Sequence, residues 1–221
     1  MLQLHNSSYT NSDISTVTKK IFDVWKTKLH ATYNIKDIYR LDSKTIMYIK
    51  KNFAPLLYYL EYGHLLEWLN KGIDTYYAVI LLFTLFSRCV YFNTREIYKN
   101  DEKIILFMEM GLHFYNITYS YSSTNIYCLQ QQQKYILLLP FQLLENIVYQ
   151  IQGKNILQIL LIKEKDLKYK QELRKILHFQ NKRIILLERF ERFPERNTLL
   201  NREPTIDEID YLDEQESLNL K

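Results

Sequence analysis

Arg192, Arg196, Asn197 and Arg202 lie close together near the C-terminal end of the chain. Guanidinium groups present planar pairs of donors that grip a carboxylate or phosphate through two parallel hydrogen bonds. A neighbouring carboxamide can both donate and accept. Arg88 ends a strongly apolar run, where a charge must find a partner or reach water, and Glu145 is a candidate counter-ion. Arg88, Glu145, Arg192, Arg196, Asn197 and Arg202 therefore form a candidate binding set for a small anion or carboxylate. In the competing reading, the arginines pair with Glu191, Glu195 and Glu203 and hold the loop that follows a long helix.

Nothing nearby adds reaction chemistry. The chain has no G-x-S-x-G, no phosphate-binding G-x-x-x-x-G-K and no G-x-G-x-x-G. His5, His30, His64, His113 and His178 are not spaced as metal ligands, and neither are Cys89 and Cys128. No catalytic residue, metal or cofactor is expected on these grounds. From Lys163 to Arg202, twelve Lys or Arg oppose six Asp or Glu, with Tyr169, Phe179, Phe190 and Phe193 interleaved. Such a face could follow a nucleic-acid backbone, although the acids weaken its field and a solvated helix face has the same composition.

The elements that must position these residues read as helices. Four glycines in 221 residues leave few tight turns. Ile14, Val17, Ile21, Val24, Trp25 and Leu29 recur at three and four, behind Ser12 or Asp13 as cap. A second helix is expected over 43–62, with Pro55 kinking it and Gly63 supplying a left-handed end. A helix capped by Asp74 is apolar nearly all round from Tyr76 to Phe86, and so should be the buried centre on which the others pack. Further helices are expected from Asp101 to about Tyr119 and from Tyr135 to Gln150, the latter broken by Pro140. SYSSTN favours turns between them. From Asn155 to Phe193 the pattern predicts one helix or two, weakest near Phe179 to Asn181. Pro194 stops it, and Thr205 with Glu208 forms a capping box for a last helix.

The net charge of +4 at pH 7 is too small to define a nucleic-acid binder by itself. Two cysteines imply a reducing compartment more simply than a disulfide framework. No run reaches the roughly 18 uncharged apolar residues that span a bilayer; Thr75 to Ser87 comes nearest, and Arg88 ends it. The N-terminus has neither a signal core nor a transit-peptide pattern. The expectation is a soluble cytoplasmic protein, or one made inside an organelle.

Arg-Phe-x-Arg-Phe-Pro-x-Arg-Asn from Arg189 to Asn197 is followed by Leu200-x-Arg202-x-x-Thr205-x-x-Glu208 and Tyr211-Leu212. This resembles the C-terminal signature of a family catalogued as domain of unknown function nine-two-four. Phe22 to Trp25, Gly63 to Trp68, Ala78 to Arg88, and Leu139-Pro140-Phe141 with Glu145 resemble other parts of its pattern, so the likeness spans about residues 21 to 212. The resemblance implies a tetratricopeptide-like helical fold and no established activity. The chain departs from the pattern where that is most reactive. Where the pattern has Asp-Gln-Phe-Pro-Arg-Asn, the chain has Thr84, Leu85, Phe86, Ser87, Arg88 and Cys89, so four of the positions are replaced and Phe86 and Arg88 are kept. His-Ser-Glu becomes Leu143, Leu144 and Glu145, and a Gly and a His become Glu191 and Glu195.

Together these features predict an all-α, tetratricopeptide-like bundle or solenoid of about seven to nine helices around a buried central helix. The expected layout is a flexible 1–11, one helical domain over 12–212 and an acidic flexible tail over 213–221. The leading functional expectation is a non-catalytic scaffold that binds a protein or peptide, with the acidic C-terminal segment as a lid or binding arm. An enzyme or small-anion binder using the Arg/Asn/Glu set is the alternative, and nucleic-acid binding through 163–202 a second.

Overall fold

In the computed structural model, the helix Ile73–Val90 (α3) runs through the middle of the protein, and 89% of it is buried. The structure describes residues 9–29, 41–117 and 129–219, with the side chains of 216–219 excepted. His5, His30, Cys128, the SYSSTN turns and most of the expected N-terminal tail lie outside the described residues.

Helix α3 is surrounded because its residues are apolar on every side. By length and composition it is long enough and apolar enough to cross a membrane, although its uncharged run extends only from Thr75 to Ser87, between Asp74 and Arg88. Arg88 does not end the helix. A π-helical turn over Leu82–Phe86 interrupts it, after which helix resumes over Ser87–Val90. Within and after that turn, the Thr84 hydroxyl donates to the Ile80 carbonyl at 2.6 Å and Ser87 to that of Phe83 at 2.5 Å.

Helix α1 (Asn11–Thr27) packs on the first half of α3, and α2 (Ser43–Tyr59) on its second half. Trp25, Phe53, Trp68, Tyr76, Phe83 and Phe86 are fully buried among them. The cap of α1 is Thr10, with Asp13 completing a capping box, so Ser12 and Asp13 are displaced from the expected role. Tyr9 packs its ring at a tilt on Tyr59 and edge-on to Trp68, so the expected loose segment is anchored at its end. Helix α2 tolerates Pro55 and ends in a π-helical turn, where Gly63 takes φ 119°, the conformation expected of it. The N-cap of α3 is Gly72 and not Asp74, which lies in the first turn.

Helix α4 (Asp101–Phe114) stops short of Tyr119, and α5 (Gln131–Leu138) is followed by a 3₁₀ turn at Pro140–Gln142. The proline thus separates α5 from α6 (Ile147–Lys163), which starts at the Asn146 cap and well before Asn155. Helices α6 and α7 (Leu167–Phe190) form an antiparallel hairpin. The break falls at 164–166, not near Phe179. Asp166 creates it by accepting from the Lys168 and Tyr169 amides at 2.9 and 3.2 Å, a capping signal that competes with continued helix. The hairpin is stitched internally by two fully buried carboxamides. Gln180 donates to Gln150 Oε1 at 2.6 Å, and Gln150 donates to the Phe141 and Leu144 carbonyls at 2.8 Å.

A 3₁₀ turn at Pro194–Arg196, the short α8 (Asn197–Leu200) and α9 (Ile206–Asn219) complete the described chain. Helix α9 continues through most of the stretch expected to be a flexible tail. The nine helices of the described residues make the protein all-α.

Candidate functional site

Four of the six candidates, Arg88, Glu145, Arg196 and Arg202, meet where the 3₁₀ turn Arg95–Tyr98, the start of α4, the loop 143–146 and the segment 192–208 converge. Asp101 is the hub. It is the first residue of α4, and the 3₁₀ turn before it folds Tyr98 back over the site.

Arg88 is completely buried. It donates to Asp101 Oδ1 at 2.5 Å and to the Ile97 carbonyl, with its guanidinium 5.0 Å from the Tyr98 ring centre. Its carboxylate partner is therefore Asp101, which corrects the expected pairing with Glu145. A buried guanidinium needs such a partner, because an unpaired buried charge is costly; the Arg88 Nε alone is left without a hydrogen bond. Arg196 approaches the same carboxylate from the opposite side, donating to Asp101 Oδ2 at 3.0 Å and to the Leu143 carbonyl at 2.5 Å. It also lies over Tyr98 and Phe193, at 4.2 and 4.8 Å. Burial, together with the like charges of Arg88 and Arg183, lowers its pKa despite Asp101 and Glu145.

Glu145 continues the ladder. Its Oε2 is 3.9 Å from Arg196, and both of its oxygens accept from Arg202 at 2.8 Å in a bidentate pair. Oε1 also accepts the Phe193 amide at 2.6 Å, which tethers the turn after α7. Burial pushes this carboxyl upward, but Arg202, the Phe193 amide and the Arg196 charge outweigh it, and the net shift is down.

Arg192 stands apart from this ladder. Its Nε and Nη2 each donate at 2.6 Å to one oxygen of Glu208, and Nη2 also reaches the Glu203 carbonyl at 2.9 Å. Glu208 serves two purposes, since it accepts the Thr205 amide at 2.7 Å in the expected capping box. The Arg192 bond, with help from Thr205 and the nearby Asn197, holds its carboxyl down at about 2. Asn197 is buried beside Glu208, but neither end of its carboxamide makes a hydrogen bond of good geometry.

The competing structural reading was right about the kind of interaction and wrong about the partners. Glu195 pairs with Arg183, Glu203 contributes its backbone, and among the described residues Glu191 has no part in an ion pair. Glu208, Asp101 and Arg183 escaped the sequence reading. In sequence Glu208 reads only as a cap, and Asp101 and Arg183 carry no local signal for the contacts they make.

Beside the ladder a cleft of about 670 Å³ opens to solvent. Arg95, Lys99 and Arg202 stand on its rim; Tyr98, Ile105, Leu106, Leu144, Tyr149 and Leu200 line its walls. Of the six candidates, Glu145, Arg196 and Arg202 line it. Arg88, Arg192 and Asn197 do not. Among the described residues no three His, Cys, Asp or Glu side chains gather as metal ligands.

The positions at which the chain departs from its family-like pattern are spent internally. Leu143 and Leu144 are buried, and the Thr84 and Ser87 hydroxyls bond to their own helix. Burial pushes the Cys89 thiol up to about 12, far from a reactive thiolate.

The fold and site define a class: an all-α bundle with an open cleft beside a buried ladder of arginines and carboxylates. The chain belongs to the family described as bacterial protein of unknown function (DUF924), which matches residues 21–216. A solved structure of a protein of unknown function from Agrobacterium tumefaciens is similar, with 22% identity and a TM-score of 0.65, over 91% of this chain and 99% of that one. That likeness concerns the fold. No curated protein matches.

Proposed function

We propose that the protein is a non-catalytic, tetratricopeptide-like scaffold that binds a protein or peptide segment in the cleft beside Tyr98. One observation carries this reading: the carboxylates of Asp101 and Glu145 are committed to arginines, while part of the cleft's apolar wall is open. Asp101 holds Arg88 and Arg196, and Glu145 holds Arg202. A general base or nucleophile needs a free, suitably tuned group, whereas Leu106, 56% exposed on the wall, offers only apolar surface. A groove with apolar walls and a polar rim suits an extended or helical segment.

The nucleic-acid reading loses support from the same pairings. Arg183, Arg192, Arg196 and Arg202 each hold a carboxylate, and Phe190 and Phe193 already face Tyr211 and the Arg183 and Arg196 guanidiniums. A cytoplasmic or organellar matrix setting accords with the buried free thiol of Cys89.

The test is affinity purification from the native cell with quantitative mass spectrometry, comparing the intact protein with Leu106→Glu. The exposed position allows that variant to fold. A stoichiometric partner that the variant loses supports the reading. No partner, or one the variant retains unchanged, overturns it.

A further inference from the structure

Lys168, Lys175, Lys182 and Arg189 recur every seven residues along α7, with His178 and Ile185 between them, and all six are exposed. That interval is close to two helical turns, so they form one outward stripe. Arg174 adds a fifth cation beside it, and Glu172 and Glu188 are the opposing acids of this side. Glu172 is spent on Lys175 at 2.7 Å, so the stripe stays basic with every acid counted. The C-terminal segment has the opposite sign. From Glu203 to Leu220 the chain carries seven acids and no Lys or Arg. Glu208 turns inward to Arg192, whereas Asp207, Asp210, Asp213 and Glu214 are exposed, with Ile206 and Ile209 exposed among them. Tyr211 packs on Phe190 at 5.5 Å, which sets acidic α9 beside the C-terminal end of α7. Among the described residues no carboxylate pairs with Lys182 or Arg189, and no cation with Asp207, Asp210 or Glu214.

We infer that this face docks a second copy of the chain about a twofold axis, the basic stripe of α7 in each copy lying against acidic α9 of the other, with Ile185, Ile206 and Ile209 covered between them. A face that carries both signs side by side becomes complementary to itself after a half-turn. Nucleic acid suits it less well, because a polyanion laid on the stripe meets the acids of α9. The 24 residues of α7 and 14 of α9 make helices about 36 and 21 Å long and about 10 Å wide, which together present on the order of 600 Å² per copy. A standard interface takes about 800 Å² from each partner. The pair is therefore weak and held largely by charge. It does not depend on what occupies the cleft beside Tyr98.

The experiment is sedimentation velocity of the full chain over about 5 to 300 µM, in about 50 mM salt and again in about 500 mM. Two double variants are compared with it: Lys182→Glu with Arg189→Glu, which reverses the stripe, and Asp207→Lys with Asp210→Lys, which reverses α9. All four positions are exposed, and circular dichroism checks each fold. The expected result is a pair at low salt that weakens roughly tenfold or more at high salt, and a single chain for either variant alone. An equimolar mixture of the two variants should pair again, because each reversed helix then faces a reversed partner. A single chain at every concentration, pairing indifferent to salt and to both reversals, or folded variants that do not pair when mixed would each overturn the proposal. So would a duplex DNA oligonucleotide that binds the unpaired chain and is lost with the reversed stripe, an outcome that assigns the stripe to nucleic acid.

Discussion

Arg196 and Asp101 are separated by 95 residues in the chain and by 3.0 Å in the fold. Because Asp101 also holds Arg88, its removal strands two buried cations. Asp101→Ala is expected to destabilise the protein by about 3–5 kcal/mol. Arg88→Met leaves Asp101 with Arg196 and should cost less. Urea unfolding of both variants checks the order, and an equal or reversed ranking would show that Asp101 is not the hub.

Acid should weaken the carboxylate ties of the C-terminal arm. The folded-state pKa values of Glu208 and Glu145 are both depressed, Glu208 from an ordinary 4.5 to about 2. A depressed carboxyl contributes stability that is present above its unfolded-state pKa and is lost as pH falls through the folded value. Unfolding stability should therefore decline between about pH 4.5 and 2, and Glu208→Gln should flatten that limb. Urea titrations at several pH values read the slope; an unchanged acid limb in the variant would place the loss elsewhere.

The Arg192–Glu208 pair is the main polar tie of α9 to the turn after α7. Arg192→Ala should loosen α9 by about 1.5 kcal/mol, seen as roughly tenfold faster amide exchange across 206–215. Exchange in α2 and α3 should not change. Uniform acceleration across the chain would mean that α9 is not a separable unit.

Glu191 sits at φ 58°, the left-handed conformation that closes α7, at the position where the family-like pattern has glycine. Among the described residues its side chain makes no ion pair to offset that conformation. Glu191→Gly should stabilise by about 1 kcal/mol, raising Tm by roughly 2–4 °C in a chain of this size. Calorimetry decides, and a lowered Tm would show that the Glu191 side chain has a role its contacts do not reveal.

Gly111 of α4 leaves no room for a methyl group against the Tyr76 ring, whose hydroxyl donates to the Met108 carbonyl at 2.8 Å. Gly111→Ala should cost about 1–3 kcal/mol by overpacking, and Tyr76→Leu in that background should recover part of the loss. Thermal unfolding of the single and double variants measures both.

The parts of this architecture legible in sequence are those written locally. The apolar circumference of 76–86 announced the central helix, Gly63 its turn, and Thr205 with Glu208 the last cap. Local signals also misled where two were plausible, as at Thr10 against Ser12, or Gly72 against Asp74. The site was harder because its partners are remote. Arg88 was recognisable as a charge in need of a partner, but Glu145 and Asp101 are equally acidic in sequence, and only the 3₁₀ turn before α4 brings Asp101 beneath it. Arg192 and Arg196, four residues apart on what reads as one cluster, serve different carboxylates because Pro194 turns the chain between them.

The Gln150–Gln180 seam of the α6–α7 hairpin is built from neutral carboxamides, whereas the neighbouring contacts to α9 and α4 are ionic. Carboxamides do not titrate at ordinary pH, and burial protects them from ionic screening. The hairpin thus behaves as a chemically indifferent spine with an ionic fastening along one side. Acid can undo that fastening while the spine keeps its register, so the position of the C-terminal arm and the integrity of the bundle answer to different features of the surroundings.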